Sequence, residues 1–107
     1  MAFETISVRQ MLSFIGKRST IIVDLRENEA FRKEHFMGAI NIPYEKLEKN
    51  IHKLYGYRNI IFYCERGNTS LLAARDMDRK GIYVMTLYGG ISGARGKLSI
   101  DGKQETR

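Results

Sequence analysis

A chain of 107 residues has room for one domain and not for two sizeable cores. Its 43% apolar and 28% charged residues are the balance of a globular fold in water, and no apolar run approaches the ~20 residues that span a bilayer. Eighteen Lys and Arg against twelve Asp and Glu leave a net charge of +6. These cations are interleaved with acids through every segment, which reads as a solvated basic surface and not as a nucleic-acid or membrane footprint. The one cysteine, Cys64, excludes an internal disulfide and a multi-cysteine metal site. His35 and His52 stand at no recognised ligand spacing, so neither a metal nor a cofactor is expected. The first ten residues, MAFETISVRQ, alternate polar and apolar side chains and carry an acid, unlike a secretory leader, which points to the cytoplasm.

In chain order, Ser7-Val8-Arg9-Gln10 has the form of a capping box, with Ser7 as N-cap and Gln10 reaching back. Met11, Leu12 and Ile15 then give a helix its apolar face, and Gly16 stops it. Thr20-Ile21-Ile22-Val23, ending in Asp24, is a compact β-branched run that reads as a strand covered on both faces. Asn28 caps a short helix running through Glu34. Residues 39–42 form a second strand closed by Pro43, and residues 44–54 have helical spacing at Leu47, Ile51 and Leu54. Residues 59–63 are a third buried strand. Residues 70–80 are helical, with Leu71, Leu72, Ala74 and Met77 on the inner side and Gly81 as the stop. Residues 82–87 are a fourth strand, Gly89-Gly90 turns the chain, and the polar tail from about Gly96 is expected to fray.

Strands alternating with short helices predict one α/β domain over residues 1–107, an open, mainly parallel sheet of four to five strands with helices on both faces. Ligands of such sheets bind outside the carboxyl ends of the strands, here the end of 59–63. Cys64 is the next residue. It opens the run Cys64-Glu65-Arg66-Gly67-Asn68-Thr69-Ser70, which joins a buried strand to a helix. Successive N–H groups in such a loop form a nest, the helix adds its positive end, and Gly67 lets the loop turn; that field favours an anionic sulfur. Cys64 is therefore read as a nucleophile and not as a small buried hydrophobe.

These residues resemble the active-site loop of the rhodanese-like sulfurtransferases, six residues that begin with the catalytic cysteine and lead into a helix. Three further stretches are similar to that family in the same order. Asp24-Leu25-Arg26 resembles its strand ending in Asp-x-Arg. His35 followed by Gly38-Ala39-Ile40-Asn41-Ile42-Pro43 resembles its His and Gly-Ala-x-Asn-x-Pro segment, with Met37 where a Pro is common. Tyr88-Gly89-Gly90-Ile91 resembles its late Gly-Gly turn.

The resemblance implies a thiosulfate sulfurtransferase. Cys64 would take a sulfane sulfur from a small anionic donor such as thiosulfate, hold it as a persulfide cradled by residues 65–70, and pass it to cyanide, an external thiol or a protein acceptor. Around it, Asp24 caps loop N–H groups, Arg26 pairs with an acid or frames the pocket, and His35 is a hydrogen-bonded structural residue. Glu65 reads as a solvated loop acid. Arg66 either supplies charge or points to solvent, since the loop's last position, often Arg, is Thr69. Tyr63, Tyr83 and Tyr88 read as sheet and core residues. Two other readings stand beside this one. A non-catalytic rhodanese-like binding or regulatory module usually lacks the cysteine. The related phosphatases and arsenate reductases use Cys-x5-Arg, and the position of that Arg is Ser70 here.

Overall fold

Both halves of the capping box form: Gln10 N–H donates to Ser7 Oγ at 3.1 Å, and Ser7 N–H donates to Gln10 Oε1 at 2.8 Å. The computed structural model describes residues 3–95 and the backbone of 101–102, so the expected fraying from Gly96 lies largely outside the described residues. The box starts helix α1, Val8–Leu12. This helix stops short of Gly16, where the backbone passes into single turns through Phe14 and Ile15. The residues before it form strand β1, Phe3–Ile6, which the sequence reading did not identify as a strand.

Thr20–Asp24 is β2 and Ile40–Asn41 is β4, the latter shorter than expected. Between them lie α2, Asn28–Lys33, and β3, Glu34–His35. Asn28 is not the cap of α2. Glu27 holds that position in extended geometry, and Asn28 Nδ2 donates instead to Asn41 Oδ1 at 3.1 Å. The segment after Pro43 is two 3₁₀ pieces, Tyr44–Lys46 and Glu48–Leu54, and not an α-helix. Leu47, Ile51 and Leu54 nonetheless pack against the core, as their spacing predicted, together with Tyr44.

Strand β5, Asn59–Tyr63, matches the expectation. Helix α3, Asn68–Arg79, begins two residues earlier than read. It turns Ser70, Ala73, Ala74 and Met77 inward and leaves Leu71 and Leu72 at 36% and 49% exposure. Strand β6 is Val84–Leu87, because Ile82 N–H is still bonded to Met77 O at 2.9 Å in the stop of α3. The backbone of Asp101–Gly102, β7, pairs antiparallel with β3.

The five-stranded sheet has the order β1-β6-β5-β2-β4 with every pair parallel. Side chains of β5 alternate between two cores. Ile60 and Phe62 pack with Leu47, Leu54, Ala73 and Met77, and Ile61 and Tyr63 pack with Met11, Phe36, Met85 and Ile91. Helical segments thus cover both faces, as the pattern predicted. No helix among the described residues is long and apolar enough to cross a membrane. The register sets Asp24 beside Tyr63 and Phe62 beside Thr86. The ends of β2, β5 and β6 therefore converge on residue 64.

Candidate active site

Cys64 continues the alternation of β5 and turns its side chain toward the α3 side of the sheet, where it is 4% exposed. Gly67 is the N-cap of α3, with φ 103° and ψ −15°, a left-handed conformation that suits glycine. Having no side chain, it leaves the first N–H groups of the helix without the usual capping oxygen. The sulfur takes that place. Gly67 N–H donates to Cys64 Sγ at 3.1 Å and Ser70 N–H donates to it at 3.2 Å. Two N–H groups of the expected nest thus point at the Cys64 sulfur itself.

Two strands beside β5 hold this loop. From β6, Thr86 Oγ1 donates to Ser70 Oγ at 2.7 Å, and Ser70 Oγ donates to Gly67 O at 3.3 Å, with Ser70 and Thr86 both buried. Past β6 the Gly-Gly turn lies against the loop. Ile91 N–H donates to Cys64 O at 3.0 Å and Ser92 N–H to Glu65 O at 2.9 Å. The approach is so close that a Cβ on Gly90 would lie 2.4 Å from Glu65 O.

From the end of β2, the Asp24 carboxylate accepts the Arg26 N–H at 2.9 Å, the loop-capping role expected of it. It also accepts Arg26 Nη2 at 2.8 Å and Nε at 3.1 Å. Arg26 Nη2 further donates to Glu34 O at 2.7 Å, and Nη1 pairs with Glu65 at 3.2 Å. Burial opposes the Arg26 charge, but the Asp24 hydrogen bonds and charge override it and raise its pKa. Tyr63, fully buried beneath, receives the Phe36 N–H at 3.1 Å. Burial and the nearby Asp24 charge push its phenol well above the ordinary range.

The side chain of Glu65, read as a solvated acid, is 44% exposed and is ion-paired as well. It is held between Arg26 and Arg95, whose Nη1 lies 2.5 Å from Glu65 Oε2. The Arg95 hydrogen bonds, joined by those from Arg26, hold its carboxyl below the usual range. Its backbone and that of Arg66 border the close approach to Gly90. Arg66, Asn68 and Thr69 line, with Cys64, a cavity of about 250 Å³ on one side of the loop. A second cavity of about 440 Å³ opens over Cys64 between Leu25, Arg26, Ala30, Tyr44 and Thr69. Tyr44 OH is pinned to Asp76 of α3 at 2.7 Å.

His35 lines neither cavity. Its ring stacks on Phe31 at 3.9 Å, and Nδ1 lies 2.8 Å from Phe31 O, consistent with a structural role. Tyr83 and Tyr88 are 44% and 78% exposed and so are not core residues. Sequence reasoning missed three side chains that shape the loop. Thr86 was visible as the one hydroxyl in an apolar strand, whereas Glu34 and Arg95 carried no signal of spacing or motif.

The chain's likeness to known proteins covers this whole frame. The family model of the rhodanese-like domain matches residues 7–97. The thiosulfate sulfurtransferase GlpE of Shewanella oneidensis is 32% identical over 92 residues, covering 85% of this chain and 91% of that protein. GlpE of Coxiella burnetii is 26% identical over 91 residues, covering 84% and 85%. The crystal structure of the BH2092 protein of Bacillus halodurans aligns with a TM-score of 0.81 at 30% identity, over 95% of this chain and 78% of that one. With the family model spanning residues 7–97 and a relative 32% identical over 85% of its length, the chain belongs to the rhodanese-like domain family.

Proposed function

We propose that residues 1–107 act as a single-domain sulfurtransferase, in the cytoplasm, that carries a sulfane sulfur on Cys64. The observation that carries this reading is the pair of N–H groups, from Gly67 and Ser70, aimed at the Cys64 sulfur beneath an open cavity. Donors fixed in place before charge arrives stabilise an anionic sulfur without reorganising. The names of the GlpE relatives support thiosulfate as the donor.

In the first step the Cys64 thiolate attacks the outer sulfur of thiosulfate. The new Cys64 S–S bond forms as the S–S bond of thiosulfate breaks, and sulfite leaves with its electron pair. The persulfide carries the negative charge beside the N–H groups of Gly67 and Ser70. In the second step cyanide, or the thiolate of a small molecule or protein, attacks the outer persulfide sulfur. Thiocyanate or a new persulfide leaves, and the Cys64 thiolate returns. No second cysteine exists in the chain, so the acceptor comes from outside. Arg26, held in place by Asp24, lines the larger cavity, and Arg66, Asn68 and Thr69 border the smaller one, where the anion would enter.

Intact-mass spectrometry after incubation with thiosulfate tests this directly. One added sulfur, removed by cyanide and absent from Cys64→Ser, is the expected result. A chain that takes up no sulfur is a binding or regulatory module instead.

A further inference from the structure

Glu65 directly follows the reactive cysteine, and its carboxylate is the nearest acid along the chain to Cys64. Left unpaired, it would repel both a thiolate and an anionic reagent. Arg26 cannot neutralise it alone, because that guanidinium also serves Asp24 and the Glu34 carbonyl. The side chains joined here are three carboxylates, Asp24, Glu34 and Glu65, and two guanidiniums, Arg26 and Arg95. Without Arg95 the cluster would hold three negative charges against one positive.

Arg95 is also placed by the same segment that buttresses the loop. Ile91 and Ser92 donate backbone N–H groups to Cys64 O and Glu65 O, Ala94 is fully buried, and the next residue is Arg95. Its Nε meets Glu34 and its Nη1 and Nη2 meet the two oxygens of Glu65. A forked guanidinium gripping both oxygens fixes the orientation of a carboxylate as well as its charge.

We infer that Arg95 is a positioning residue for Cys64: it grips the Glu65 carboxylate, which lines both cavities beside the sulfur, and offsets its negative charge there. The inference rests on Cys64 as the reacting atom. Three other charged groups border the two cavities at Cys64: Glu27 and Glu45 on the larger one and Arg66 on the smaller, all exposed. They are unchanged in the variants below.

The test compares alkylation of Cys64 by iodoacetate, an anion, with alkylation by neutral iodoacetamide. In both, the sulfur forms a bond to the reagent's carbon and iodide leaves with the C–I electron pair. The ratio of the two rate constants reads the field at the sulfur and cancels differences in thiol ionisation. Arg95→Ala should lower the ratio about threefold to tenfold. Arg95→Lys should keep it within about twofold of the parent, since the charge remains. The decisive variant is Glu65→Gln/Arg95→Ala, which should return the ratio to the parent value, because the acid that Arg95 restrains is gone.

A ratio unmoved by Arg95→Ala overturns the inference, and so does a lowered ratio that Glu65→Gln fails to restore. Should Arg95→Ala not fold, Glu65→Gln alone decides. It leaves both guanidiniums in place and should raise the ratio above the parent, and a ratio that stays put or falls refutes the idea. Alkylation needs no sulfur donor. A failure of sulfur uptake from thiosulfate would therefore defeat the transfer reading without touching this measurement.

Discussion

Replacing Gly90 with alanine asks whether the Gly-Gly turn holds the cysteine loop in shape. A Cβ at that position would lie 2.4 Å from Glu65 O, 2.6 Å from Glu65 C and 2.7 Å from Arg66 N. All three are backbone atoms, so no rotamer change relieves the overlap, and one strand of the packing must retreat. Gly90 also sits at φ 63° and ψ −170°, a conformation that costs a residue with a side chain about 1–3 kcal/mol. Overpacking a tight contact costs about 1–3 kcal/mol more. A central sum of about 4 kcal/mol compares with a total stability of about 5–15 kcal/mol for a domain. At about 4–8 °C per kcal/mol, the melting temperature should fall by roughly 16–32 °C. Gly93→Ala is the matched control, since nothing lies within 4 Å of its Cβ position, and it should change stability by no more than about 0.5 kcal/mol. Thermal and urea unfolding followed by circular dichroism measures both. Sulfur transfer should fall with Gly90→Ala even at low temperature, because the bonds from Ile91 and Ser92 to the loop carbonyls are displaced. A Gly90→Ala protein melting within about 3 °C of the parent would refute the argument that this contact is rigid.

Cys64→Ser keeps the volume but replaces an ionisable thiol with a hydroxyl, so thiosulfate:cyanide transfer should drop to background with the fold intact by circular dichroism; retained activity would remove Cys64 from its role. Arg66→Ala should raise the thiosulfate KM more than it lowers kcat, as expected for an exposed cation that borders the cavity in ground and transition states alike. Steady-state kinetics showing a collapsed kcat at constant KM would contradict that. The third outcome concerns acid. Arg95 and Arg26 depress the Glu65 pKa in the folded state, so its contribution is complete above the unfolded carboxylate pKa and is lost as pH falls through the folded value. Melting temperatures measured from about pH 6 down to pH 3 should therefore fall more steeply for the parent than for Glu65→Gln. Parallel curves would show that the ion pair adds nothing to the fold.

The parts of the fold legible in the sequence were those with an unbroken physical signal. Thr20–Asp24 and Asn59–Tyr63 are continuous apolar runs, buried on both faces, and each forms as read. β1 was obscured because Phe3–Ile6 is a four-residue edge strand with two exposed positions, too short to show a period. Leu71 and Leu72 looked like core by residue type alone. Helical phase instead turns the smaller Ser70, Ala73 and Ala74 inward, where α3 lies close to the sheet. In the candidate site, Cys64, Gly67 and Asp24 were readable because strand ends and tight loops constrain residue type. Glu34 and Arg95 were not, since the ion pair between them joins segments 61 residues apart and leaves no local pattern.

The sulfur of Cys64 caps α3, and under the proposed function it would be the reacting atom as well. Any chemistry there rewrites the start of a twelve-residue helix. A persulfide moves the formal charge one bond outward, so the N–H groups of Gly67 and Ser70 must follow it or lose their acceptor. Alkylation leaves a neutral, poorer acceptor in its place. The amides of Gly67 and Ser70 are thus built-in reporters of the sulfur's covalent state. Their chemical shifts in an NMR spectrum should move with each half of a turnover, before any change is seen in the sheet.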